Sequence, residues 1–223
     1  MTLFLTSCNR PHLLKRTLES FMKYNTYPLS QAIILEDSGL KGINDFAHSI
    51  LNCPLTIIYN ETRMGQMKSI ENGLQYLCTP YVFHCEEDWE FYDYGFIEKS
   101  MEILKQNKYV TSVWLRSYHE LQTMYKFPII SVDTWIRVCN KSDILSSDTY
   151  RIIGPHIGNF SWNPGLKTLE VAKKFAPYTS STLPTSICEG GMRDAFRDLG
   201  MVSAVTCTAE GYVKHIGWND HVW

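Results

Sequence analysis

No run of about 18 apolar residues occurs anywhere in the chain, so no stretch of it reads as a membrane-spanning helix. Nor does a charged leader precede an apolar segment, and the expectation is a soluble, cytoplasmic protein. Basic runs and a Lys/Arg-rich tail are also missing. With 21 Lys+Arg against 23 Asp+Glu the formal net charge is −2, too weak a field to attract nucleic acid or an anionic membrane. The cysteines, at 8, 53, 78, 85, 139, 188 and 207, are odd in number and irregular in spacing, with no C-x-x-C. That excludes a disulfide framework and a structural zinc site, and predicts buried free thiols. The G-x-x-x-x-G-K-[ST] and G-x-G-x-x-G phosphate loops are absent, as are internal repeats and low-complexity linkers.

What remains is an ordinary globular balance, 44% hydrophobic and 20% charged over 223 residues, sufficient for a single domain with its own core. The first half alternates short apolar strands (3–6, 32–35, 55–59 and 81–85) with helical periodicity over 14–22, 42–51 and 64–77. Asn9 is placed to cap the first helix, with Pro11 in its opening turn. Such alternation predicts right-handed crossovers and an α/β fold with a mostly parallel sheet flanked by helices. The second half is less regular. Helices are predicted over 92–106, 166–175 and 189–199, strands over 110–115, 134–139, 202–206 and 211–216, a turn at 161–165 and a loop at 179–185. The single domain divides into a half of about 1–90, carrying the regular alternation, and a half of about 91–223.

Ligands of open α/β sheets sit off the carboxyl ends of the strands. Four polar clusters fall there: residues 6–10, 36–39, 60–66 and 86–88. Glu86-Glu87-Asp88 follows a buried strand. Three successive carboxylates repel one another unless solvated or joined by a cation, so the trio is either an acidic turn or a site for Mn2+ or Mg2+ with substrate phosphates. Asp37 is either a turn former or an acceptor for a base N–H or ribose hydroxyl. Its neighbour Glu36 alternates to the other side of the strand. The loop bearing Arg63 and Gly65, with Lys68 beyond it, could present N–H groups and positive charge to a diphosphate, or simply open a helix. Arg10 reads as a phosphate contact or a surface charge. Glu189, at the predicted start of a helix with two glycines behind it, suits a general base; Asp194 is the rival, a turn deeper and near Arg197 and Lys173. His215 is a candidate cation ligand, His221 a weaker one, and His84 lies inside a strand. Trp162, Trp89 and Trp218 are aromatic faces for a sugar or pieces of core.

In this order the pieces resemble the family-2-type glycosyltransferases of the GT-A fold. Thr-Ser-Cys-Asn-Arg-Pro-His-Leu-Leu-Lys-Arg-Thr-Leu-Glu-Ser is similar to the family's opening strand and helix, and Leu-Glu-Asp-Ser-Gly to its second-strand nucleotide site. Glu86-Glu87-Asp88 stands where the family has Asp-x-Asp, with Glu in place of the first Asp. Ser-Trp-Asn-Pro-Gly-Leu, the helix from Glu189 and Val-Lys-His-Ile-Gly resemble the acceptor, base and metal-closing elements; Glu-Gly-Gly replaces the frequent Glu-Asp. The resemblance implies nucleotide contacts from Thr6, Arg10, Asp37, Arg63, Lys68, Glu86 and Glu87, metal ligation by Asp88 and His215, acceptor contacts from Trp162 and Asn163, and Glu189 as base. The implied reaction takes a sugar, UDP-linked by preference, from a nucleoside diphosphate to a hydroxyl of a carbohydrate or glycoconjugate, with inversion. A non-catalytic nucleotide- or sugar-binding module is the alternative. A sugar-nucleotide nucleotidyltransferase fits less well, because the loop after the first strand lacks glycine.

Overall fold

The computed structural model describes residues 1–131, 150–153, 159–177 and 185–220, with the side chains of 185–187 excepted. The strand expected at 134–139, Cys139, nearly all of the loop at 179–185, and His221 lie outside the described residues. Five strands and three helices build the first part: β1 (Thr2–Ser7), α1 (Pro11–Tyr24), β2 (Gln31–Glu36), α2 (Asn44–Ile50), β3 (Leu55–Tyr59), α3 (Gln66–Gly73), β4 (Tyr81–Glu86) and β5 (Trp89–Phe91). There follow α4 (Phe96–Gln106), β6 (Val110–Trp114), α5 (Tyr118–Thr123), β7 (Ile129–Ile130), β8 (Tyr150–Ile153) and β9 (Gly165–Thr168). The last elements are α6 (Leu169–Lys173), α7 (Thr185–Asp198), β10 (Val202–Thr206) and β11 (Val213–His215).

The main sheet has nine strands in the order β3-β2-β1-β4-β9-β6-β10-β8-β7. Its first four strands are parallel, as is β6 with β10; β9 runs antiparallel to both β4 and β6, and β8 antiparallel to β7 and β10. Seven of the nine strands thus run the same way, with β9 and β8 reversed, so the sheet is mixed and mostly parallel, as expected. Because β9 is inserted between β4 and β6, the two sequence halves share one sheet.

Alternation along each strand splits the core. Leu3 and Leu5 of β1 join one apolar cluster with Leu14, Leu18 and Phe21 of α1 and Ile97 and Met101 of α4. Phe4, pointing the other way, joins Met67 and Ile70 of α3 and Met192 and Phe196 of α7. Burying each such side chain contributes about 1.5–3 kcal/mol, which is why helical spacing at 14, 18 and 21 suffices to dock α1. Phe21, Phe83, Phe91 and Phe96 meet with ring centroids 5.0–5.9 Å apart, tying α1, β4, β5 and α4 into one block beside the β4–β5 turn.

Several element boundaries differ from expectation. Residues 92–95 are not helical, because the chain first forms β5 and pairs with β11. Residues 165–168 form a strand, not the start of a helix, their backbone groups being taken by β4 and β6. Asn9 does not cap α1: it adopts a left-handed φ of 54°, Arg10 occupies the cap position, and no side-chain cap forms. The six described cysteines form no disulfide; Cys85 and Cys188 are buried, whereas Cys78 and Cys207 are exposed, so burial holds for only some of the thiols. No helix of the described residues is long and apolar enough to cross a membrane.

Candidate active site at the ends of the parallel strands

The carboxyl ends of β1, β2 and β4 and the start of α3 enclose a cleft of about 170 Å³. Its walls include seven of the expected residues, Thr6, Arg10, Asp37, Arg63, Glu86, Glu87 and Asp88. Ser7, Gln66 and Ser69, which sequence reading did not single out, line it as well. Thr6 and Ser7 are buried, yet neither hydroxyl has a hydrogen-bond partner within the described residues. Two orphaned hydroxyls on a cleft wall are the kind of groups a bound polar molecule satisfies.

At the base of the cleft Asp37 is only 4% exposed. Its Oδ1 accepts from Asn60 Nδ2 and the Met64 amide, both at 2.8 Å, and its Oδ2 from the Gly65 amide at 2.7 Å. Of the two readings of this loop, its Met64 and Gly65 amides are taken by Asp37 and are not left for a diphosphate. A carboxylate has about four acceptor sites, so one remains on Oδ2. Glu36 is buried on the other side: its Oε1 accepts from the Asn9 and Ser38 amides at 3.1 Å, joining the ends of β1 and β2. Lys68 does not line the cleft; it lies 3.6 Å from Glu71 one turn along α3.

The acidic trio forms the turn between β4 and β5. Thr17 of α1 secures it from beneath, donating to the Glu87 carbonyl at 2.5 Å and accepting from the Trp89 amide at 3.2 Å. Glu86 accepts from Gln66 and from the Trp89 indole, each at 2.8 Å. Burial, with the charge of Asp88, pushes the Glu86 carboxyl up to about 8. Glu87 is nearly as perturbed, at about 7, because burial outweighs the opposing pull of Arg10. Arg10 is committed to carboxylates: its Nη2 lies 2.8 Å from Glu87 Oε1 and 2.8 Å from Asp88 Oδ2, while its Nη1 donates to the Asp220 carbonyl. Asp88 is buried, but the hydrogen bond from His215 and the charge of Arg10 together outweigh desolvation and hold it below the usual carboxylate range.

His215 reaches the turn because β11 pairs with β5 in a register that sets His215 opposite Trp89. Its Nε2 lies 3.2 Å from Asp88 Oδ2, and the Ile216 amide donates to the Asp88 carbonyl at 2.8 Å. Gly217 packs so tightly here that a Cβ would come within 2.6 Å of Asp88 Oδ2. Two ligand atoms of an octahedral ion with bonds of about 2.1 Å stand about 3 Å apart, so Asp88 and His215 suit adjacent positions on one small divalent cation. No larger group of three His, Cys, Asp or Glu side chains gathers among the described residues, so phosphate oxygens and water would supply the remaining ligands.

Glu189, Trp162 and Asn163 lie off the cleft. Helix α7 begins at Thr185, which puts Glu189 in its second turn rather than at its N-terminus. Glu189 Oε1 accepts from the Trp162 amide at 2.9 Å. The Trp162 ring is 1% exposed and stands edge-on to Phe160 and His84, so it offers no face to an acceptor sugar. Trp89 is likewise buried, at 2%. Of these three tryptophans it is Trp218, 54% exposed with its ring 4.6 Å from that of His215, that faces solvent. Asp194, the rival base, is paired with Arg197 at 2.8 Å.

The comparisons agree with this architecture. A mannosyltransferase, PcManGT from Pyrobaculum calidifontis, solved with GDP-Man and Mn2+, superimposes with a TM-score of 0.66 at 11% identity, over 94% of this chain and 55% of that one. GalNAc-T7, solved with UDP, GalNAc and Mn2+, gives 0.69 at 12% identity, over 100% of this chain and 45% of that one. S. aureus TarS gives 0.60 at 13% identity, over 95% and 36% respectively. The chain thus spans about half or less of each of these proteins, and at such identities the likeness is one of fold, the GT-A fold. No curated protein matches the sequence. The model of glycosyl transferase family 2, however, matches residues 2–199, and with nearly its whole length so covered the chain belongs to that family.

Proposed function

We propose that the chain moves a sugar from a nucleoside diphosphate donor to a hydroxyl of a carbohydrate or glycoconjugate, with inversion, using Mn2+ or Mg2+. One observation carries the reading. Asp88 and His215 converge at 3.2 Å beside a cleft whose wall presents the partnerless hydroxyls of Thr6 and Ser7. Thr6, Ser7 and the remaining lone pair of Asp37 hold the nucleoside, and Arg63 meets the diphosphate. Asp88 and His215 would hold the divalent cation, which would supply Lewis acidity toward the departing diphosphate. Arg10, gripping Glu87 and Asp88, keeps those carboxylates aimed and partly neutralised. Glu189 accepts the acceptor's proton as the acceptor oxygen bonds to the anomeric carbon, and the diphosphate leaves with the electron pair of the broken bond. Trp218 offers the acceptor an aromatic face. UDP is the nucleotide we favour; GalNAc-T7 was solved with UDP and the mannosyltransferase with GDP-Man, so both nucleotides belong in the test.

The test is release of nucleoside diphosphate from a panel of UDP- and GDP-sugars, with manganese or with chelator, with and without acceptor. Metal-dependent, acceptor-stimulated release is expected, and Asp88→Ala abolishes it. Full activity under chelation overturns the metal role. Tight donor binding without any release favours the non-catalytic module.

A further inference from the structure

Beneath the site lies a group that neither the cleft nor the acidic turn accounts for. Lys167, in the short strand β9, is 0% exposed, and its Nζ has no hydrogen-bond partner among the described residues. Its ammonium stands 5.2 Å from the centroid of Trp162 and 5.7 Å from that of Phe160. A desolvated amine set against aromatic faces without a hydrogen-bond partner is unfavourable where a methionine would pack as well. Burial pushes its pKa down to about 7, while Glu189, then Glu86 and Cys85, pull it back up.

The aromatic partner of that amine holds the structural key. The Trp162 amide donates to Glu189 Oε1 at 2.9 Å, and the carbonyl of Trp162 accepts from Nδ1 of the wholly buried His84. A carbonyl only accepts, so Nδ1 carries the proton. Burial and the nearby Lys167 charge keep His84 neutral, well below its ordinary pKa. The backbone of Trp162 is therefore held on both sides of its Cα, at the N–H by Glu189 itself. The charged or titratable groups around Lys167 are His84, Cys85 and Glu86 from β4 and Glu189 from α7.

We propose that Lys167 is a positioning residue for sugar transfer: packed on Trp162 behind the sheet, its buried amine fixes the Trp162 ring and with it the backbone N–H that orients Glu189. The proposal rests on the reading of Glu189 as the base, so the two need separate tests. Lys167→Met keeps the volume and removes the charge. The expected result is a melting temperature at or above wild type, with kcat for transfer lowered about 10- to 100-fold, as for a misplaced catalytic group, and the donor KM within about twofold. Lys167→Arg, which retains charge, should turn over faster than Lys167→Met; the reverse order overturns the proposal. So does a folded Lys167→Met protein working at the wild-type rate while Glu189→Gln is inactive. If Glu189→Gln itself works at the wild-type rate, the base is elsewhere and both readings fall. Should Lys167→Met and Lys167→Leu both melt below wild type, the amine is structural and the proposal is overturned.

Discussion

Asp37 shows how one carboxylate can tie down a loop and still face a cleft. Three donors from the segment 60–65 converge on it, so the loop bearing Arg63 is held in place by the same residue that faces the cleft. Asp37→Asn leaves one carbonyl oxygen for those donors and turns an N–H toward another N–H. A loss of about 1–3 kcal/mol in urea-unfolding stability is expected, together with weakened donor binding by calorimetry. Gly217 poses the converse problem of space. Gly217→Ala drives a methyl into Asp88 and Arg10, and should lower metal-stimulated turnover about 10-fold or more with little change in melting temperature. Glu189→Gln keeps the hydrogen bond acceptor for Trp162 but removes the basic oxygen; turnover should drop by about 10²–10⁴ while nucleotide affinity is retained.

Among the elements, α3 and β9 do most to place the site. Helix α3 lies close on the sheet because Gly73 admits the Phe4 ring: a Cβ there would be 2.6 Å from its Cε2 and 2.8 Å from Leu35 Cδ1. Gly73→Ala should destabilise the fold by about 1–3 kcal/mol, as overpacking does, and shift the start of α3 where Gln66 meets Glu86; thermal denaturation and donor affinity would report the two effects. Strand β9, only four residues long, brings Lys167 into the sheet next to β4. Its sequence, Gly-Leu-Lys-Thr, is too short for a period of two to be distinguished from a helix start, and its strand character comes from being paired on both edges.

Over the whole molecule the acidic turn couples stability to pH. Glu86 and Glu87 have folded pKa values of about 8 and about 7, above their ordinary 4.5. Between those limits the folded chain binds more protons than the unfolded one, so stability falls as pH rises through that window. In chelator, denaturant-unfolding stability should decline from about pH 5 to 8, and Glu86→Gln should flatten the slope. Manganese should recover stability most at the upper end, where fewer protons compete for the site; no manganese effect at any pH would count against a cation at the turn.

The α/β class, the first four strands and the polar clusters at their ends were legible in the sequence, because apolar runs of four to six residues set off by helical periodicity are local signals. The opening segment from Thr6 to Arg10, Asp37 and the acidic trio could be placed from order alone. Sequence could not tell that Trp162 is buried, that Lys68 turns away toward Glu71, or that Glu189 sits a turn inside its helix. Nor could it pair Arg10 with Glu87 and Asp88; that His215 belongs beside Asp88, 127 residues away (215 − 88), came only from the family resemblance and not from any local pattern. Those relations depend on strand register and on which faces meet across the core, and nothing in a linear pattern carries either. The sequence by itself determined the chemistry available at the strand ends; the tertiary structure decided which of those groups share a site, because only packing brings distant side chains within a few ångströms.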